Sequence, residues 1–168
     1  MNDTYGHGAG DRLLEQFADL LRHSVRQSDY IIRWGGEEFL IVARATTWEE
    51  AGELAQRLLL NINSAEFQLS ADAILHKTCS IGFARYPFFT ERPEMLSWEQ
   101  VIDRADRALY AAKRSGRNCW IGLRGATTSD ALGEQDPEAF NVTIEGEDCQ
   151  YSTSLPAGPA GWSKQEEP

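Results

Sequence analysis

The sequence predicts an α+β domain, and three observations carry that prediction. Apolar residues recur at helical spacing in three separated segments, paired glycines interrupt two runs of β-branched and aromatic residues, and two helix starts carry capping-box pairs. The resulting order is helix, hairpin, helix, strand, helix, strand, with no internal repeat. Helices packed against an antiparallel-rich sheet satisfy it.

Asp11 to Val25 sets Leu13, Phe17, Leu20 and Leu21 on one face, with Arg12, Glu15 and Asp19 between them, so a first helix is expected here. Tyr30 to Ile32 and Phe39 to Val42 then read as strands around Gly35 and Gly36, which supply turn backbone. The adjacent carboxylates of Glu37 and Glu38 fall at the tip of that hairpin. There they point into solvent, where they can hold a divalent cation against a phosphate. Thr47 with Glu50 forms a capping box ahead of Ala51, Leu54, Ala55, Leu58 and Leu59, the second helix.

Lys77 to Tyr86 reads as a strand ending at Pro87, with Phe67 to Leu69 as a short partner. Ser97 and Gln100 repeat the capping box before a third helix, on which Ile102, Ala105, Leu109 and Ala112 share a face, and Gly116 marks its stop. Cys119 to Leu123 is the last expected strand.

A chain of 168 residues with 42% hydrophobic content is long enough for one domain with a sizeable core. The net charge of −10 is unevenly placed: from Gly125 onward nine acids face Lys164 alone, a net of −8, which leaves −2 for residues 1–124. Helical and strand periods also fade after Gly125. Residues 125–168 are therefore expected to form a disordered acidic tail, although Phe140, Val142 and Ile144 alternate as a docking strand would. The Asn141-Val142-Thr143 glycosylation match reads as accidental.

No run of about 18 apolar residues exists and the start is polar, so no membrane segment and a cytoplasmic location are expected. Cys79, Cys119 and Cys149 form no CxxC pair and read as free thiols. His7, His23 and His76 lack metal-ligand spacing, and no Walker loop or Ser-His-Asp order is present.

Four separated motifs in fixed order, Asn2 to His7 (NDTYGH), Gly10-Asp11, RWGGEEF and Ala105 to Asn118 (ADRALYAAKRSGRN), resemble the GGDEF domain of diguanylate cyclases over residues 1 to about 124. The resemblance implies a fold related to nucleotide cyclases and the polymerase palm. It also implies condensation of two GTP molecules into cyclic di-GMP with Mg2+ or Mn2+, by a homodimer and without nucleic acid. It assigns Glu37 to the catalytic metal, and Glu38 to a second metal or to activation of the attacking 3′-hydroxyl. Gly35 and Gly36 would leave room for the phosphates.

The same resemblance assigns Asn2 and Asp11 to the guanine base, a role their hydrogen-bonding groups suit, while helix capping is the alternative for Asp11. Lys113 and Arg117 would reach the triphosphate; a basic solvated face with Arg114 is the other reading. Arg26 and Asp29 form an RxxD at the spacing of the family's inhibitory product site, with Arg57 as an added cation and a local surface ion pair as the alternative.

Family members precede the NDTYGH loop with a hydrophobic strand bearing a metal-binding Asp and then a Phe-Lys segment, and Met1 stands where they carry an apolar residue. A missing first strand would remove about 5–10 kcal/mol of burial, comparable to the stability of a whole domain. It would also leave an exposed sheet edge and very weak or absent turnover. The alternative function is a noncatalytic cyclic di-GMP-binding module, or a nonfunctional fragment.

Overall fold

Phe17 sits between two aromatic neighbours, stacked on Phe39 at a centroid distance of 5.6 Å and on Phe67 at 6.0 Å. That stack ties the first helix to the hairpin and to the strand after the second helix. It belongs to the first of two compact units, residues 1–79 and 80–168, in a computed structural model that describes residues 7–70, 73–126, 140–144, 147–156 and 158–160.

The first unit runs α1 (His7–Ser24), β1 (Tyr30–Gly35), β2 (Glu38–Val42), α2 (Trp48–Ser64), β3 (Phe67–Ser70) and β4 (Ala73–Leu75). The apolar face expected for α1 is borne out: Leu13 is buried with Phe67 and Leu69, and Phe17 and Leu20 pack against them. Gln16 adds a polar clasp, its amide donating to the Gln68 carbonyl at 2.8 Å and accepting from the Gln68 N–H at 2.9 Å. One side chain thereby satisfies both backbone groups of a residue in a two-stranded sheet.

β1 and β2 pair antiparallel from Tyr30 opposite Val42 to Gly35 opposite Glu38, with an irregularity between Arg33 and Gly35. α2 starts at the expected capping box, with both Thr47 and Glu50 making their reciprocal bonds, and buries Trp48, Ala55, Leu58, Leu59 and Ile62. β3 pairs antiparallel with β4. The expected partner of Phe67–Leu69 was the segment beginning at Lys77. The observed partner is Ala73–Leu75, three residues too short to announce a strand in the sequence.

The second unit contains β5 (Ile81–Ala84), α3 (Trp98–Arg114), β6 (Trp120–Gly125), β7 (Phe140–Ile144) and β8 (Glu147–Thr153) in one sheet of order β5-β6-β8-β7. β5 and β6 are parallel, joined through α3, and β6, β8 and β7 are antiparallel. α3 begins at the Ser97–Gln100 capping box and buries a small-residue face with Ala108, Ala111 and Ala112. Close approach explains it: a Cβ on Gly82 would overlap the backbone of Ala105 and Leu109, so only glycine admits the helix at this distance. Phe88, Phe89, Leu96, Val101, Ile121 and Leu123 complete the core.

The α+β class is borne out, with its strands divided among three sheets. The tail expectation meets a different arrangement wherever residues are described. β8 pairs with β6 from Ile121 opposite Thr153 to Gly125 opposite Cys149, and Tyr151 is wholly buried. Ladder bonds and the burial of Cys149 and Tyr151 offset the ordering entropy that the acidic composition argued against. The docking alternation at Phe140, Val142 and Ile144 falls in β7, which pairs with β8. Residues 127–139 and 161–168 lie outside the described residues. Cys79, Cys119 and Cys149 are free thiols, and burial pushes Cys79 up to about 11.

Candidate functional site

The hairpin tip is built from a two-residue turn, Gly36 and Glu37, between the paired Gly35 and Glu38. Gly36 has φ of 53°, in the left-handed region where a side chain is strained, so this glycine is demanded by the turn itself. Gly35 is not: its φ is ordinary and an added Cβ would meet no atom within 4 Å. The chain leaves open space there, as an approaching ligand requires.

Arg33 stabilises the turn from the strand side, its Nε and Nη2 donating to the Gly36 carbonyl at 3.1 and 2.9 Å. Phe39, the residue after the two acids, is held by Phe17. A guanidinium clamp before the tip and an aromatic anchor after it thus present Glu37 and Glu38, both exposed, on a defined turn. Two adjacent carboxylates supply hard oxygen donors suited to Mg2+ or Mn2+, which take one or two carboxylates and fill their remaining positions with water and phosphate oxygens. Among the described residues no group of three His, Cys, Asp or Glu side chains converges as a closed cage.

A second cluster lies beside the start of α2. Arg26, Asp29, Thr46, Glu50, Glu53, Leu54 and Arg57 line one pocket, so the three residues read as a product site are brought together. Asp29 serves the backbone: one carboxylate oxygen accepts from the Arg26 N–H at 2.9 Å and the other from the Arg44 N–H at 3.1 Å. Arg26 does form an ion pair, but with Glu50, Nη2 to Oε1 at 3.0 Å. Arg57 donates to the Ser24 carbonyl at 3.1 Å. The Thr47 backbone N–H, and then the Arg26 guanidinium, hold the Glu50 carboxyl below its ordinary value.

Asp11 is exposed within α1, a full turn past His7, so it does not occupy the start of the helix and the capping alternative falls away. Asn2 lies outside the described residues. In the second unit Lys113 is exposed in the last turn of α3. Arg117 lies beyond the helix, where Gly116, Arg117 and Asn118 all take positive φ, of 105°, 64° and 50°. The helix ends at Arg114, so Lys113 and Arg117, four residues apart, do not share a helical face, and a left-handed turn sets the direction of Arg117.

Sequence reasoning gave no role to Arg33 and read Glu50 only as a cap. The available signals were slight: an Arg two residues before Gly-Gly, and an acid on the helix that also carries Arg57.

The family model "Diguanylate cyclase, GGDEF domain" matches residues 1–119. The chain belongs to the GGDEF domain family. This GGDEF domain is 42% identical over 118 residues to diguanylate cyclase DgcP of Pseudomonas aeruginosa, covering 70% of this chain and 16% of that protein. It is 37% identical over 123 residues to diguanylate cyclase DgcS of Shewanella oneidensis, covering 71% and 37% respectively. Among solved structures, the GGDEF domain of DgcB from Caulobacter crescentus in complex with c-di-GMP matches with a TM-score of 0.60 and 31% identity, over 70% of this chain and 66% of that one. The chain thus spans well under half the length of these two curated relatives. No helix among its described residues is long and apolar enough to cross a membrane.

Proposed function

We propose that this GGDEF domain condenses two GTP molecules into cyclic di-GMP, with Glu37 and Glu38 at the centre of the chemistry. The carrying observation is the presentation of these adjacent carboxylates on the Gly36 turn, clamped by Arg33, in a chain of this family. In each of two steps a bond forms between a 3′-oxygen and an α-phosphorus, the bond from that phosphorus to the β-phosphate oxygen breaks, and pyrophosphate leaves.

Bound Mg2+ or Mn2+ would neutralise charge developing on the α-phosphate and the leaving oxygens. Glu37 would hold the catalytic cation, and Glu38 would hold a second cation or take the proton of the attacking 3′-hydroxyl. Gly35 and Gly36 leave space for the phosphates. Asp11, with Asn2, receives the polar edge of guanine, and such paired contacts penalise adenine. Lys113 and Arg117 bind the triphosphate. The product has two-fold character and each protomer brings one GTP, so a homodimer is the working form.

We place product recognition at Arg26, Asp29 and Arg57. A guanidinium fork suits guanine O6 and N7 or a phosphodiester, and the pocket assembles all three residues. Pyrophosphate release measured with GTP and with ATP, each with Mg2+, tests the reaction. The reading expects metal-dependent release from GTP alone; equal release from ATP would overturn the base assignment.

A further inference from the structure

We infer that Glu50 is a built-in counter-anion of the Arg26–Asp29–Arg57 pocket, holding the Arg26 guanidinium when no ligand is present and so weakening the site for phosphate-bearing ligands. The inference rests on the product-site reading above and adds a residue that regulates it.

Three carboxylates and two guanidiniums line this pocket, giving it a negative balance that opposes a phosphodiester. Asp29 is committed to two backbone N–H groups, so the chain fixes its position. Glu50 differs. One of its oxygens receives the Thr47 backbone N–H at 2.9 Å, completing the cap of α2, and the other receives Arg26 at 3.0 Å. The cap keeps the carboxylate in place whether or not Arg26 remains, because leaving would expose a helix terminus.

Arg26, on a long flexible side chain outside any helix or strand, is the partner able to move. It has two alternative anions: Glu50 or a ligand phosphate. The structure holds the first arrangement, and a ligand must displace it. Affinity is therefore set by the difference between two ion pairs rather than by Arg26 alone.

Calorimetric titration of cyclic di-GMP into the wild-type chain, Glu50→Gln, Arg26→Ala and the double variant tests this. Glutamine at that helix position preserves the capping box, so a single cooperative thermal transition with wild-type far-UV circular dichroism verifies the fold. Glu50→Gln should bind about two- to fivefold more tightly, the range for releasing a solvent-exposed ion pair. Arg26→Ala should bind more weakly, and adding Glu50→Gln to it should restore nothing.

If the wild type binds and Glu50→Gln binds no more tightly, the inference is overturned while the product site stands. A gain that persists without Arg26 also overturns it, because a diffuse charge effect would then suffice. Binding by none of the four proteins would overturn the product-site reading itself, and the inference with it.

Discussion

The Arg33 guanidinium grips the Gly36 carbonyl through two nitrogens, at 3.1 and 2.9 Å, at the turn that carries Glu37. The residue two places before the glycines thus secures the turn on which both acids stand. Replacing Arg33 with alanine removes that grip without touching either acid. Amide hydrogen exchange at Gly36 to Glu38 should quicken about fivefold, for an exposed interaction worth about 1 kcal/mol. Unchanged exchange would show that the turn holds itself.

The two tip glycines should separate in their effects. Gly36→Ala forces a side chain into the left-handed region and should cost about 1–2 kcal/mol of stability in urea denaturation. Gly35→Ala meets open space at an ordinary φ and should stay within about 0.5 kcal/mol of wild type. Activity lost in Gly35→Ala at preserved stability would then measure ligand approach alone.

Gly82→Ala should be among the most damaging single-methyl changes in the second unit. Its Cβ would collide with the backbone of Ala105 and Leu109, where no flexible side chain can yield. A loss of about 3 kcal/mol is expected, read as a lower urea midpoint.

Glu50 gives the fold an acid-sensitive link. Its carboxyl lies below the ordinary 4.5, so the stability it contributes is present above that value and is lost as pH falls through the lowered one. Thermal unfolding followed from neutral pH into that acid range should show a shallower decline for Glu50→Gln than for wild type. Parallel declines would mean that the Thr47 and Arg26 contacts carry no charge dependence.

Helices and the hairpin were legible because local chemistry specifies them: Thr47 with Glu50 and Ser97 with Gln100 start helices, and Gly36 makes a turn that few other residues accept. β8 was hidden for a physical reason. Cys149, Gln150, Tyr151 and Ser152 are all buried in succession, so the alternation that reveals a half-exposed strand does not arise, and Asp148 with the preceding Glu147 disguises its start. β4 was too short to signal itself.

The site divides in the same way. Glu37, Glu38, Gly35 and Gly36 were readable as a contiguous motif, and the RxxD spacing marked Arg26 and Asp29. The Glu50 contact joins residues 24 positions apart through a pairing that only the folded chain makes. The turn of Arg117 likewise depends on backbone dihedrals that an Arg does not advertise.

The central claim is that Glu37 and Glu38 serve a metal-dependent condensation of GTP. Prolonged incubation of the chain with GTP and Mg2+ or Mn2+, with products resolved by anion exchange, tests it most directly when Glu37→Gln and Glu38→Gln are run beside the wild type. The prediction is slow formation of cyclic di-GMP that ceases on chelation and in either variant. Absence of any metal-dependent cyclic di-GMP from the wild type, or undiminished product from both variants, would contradict it.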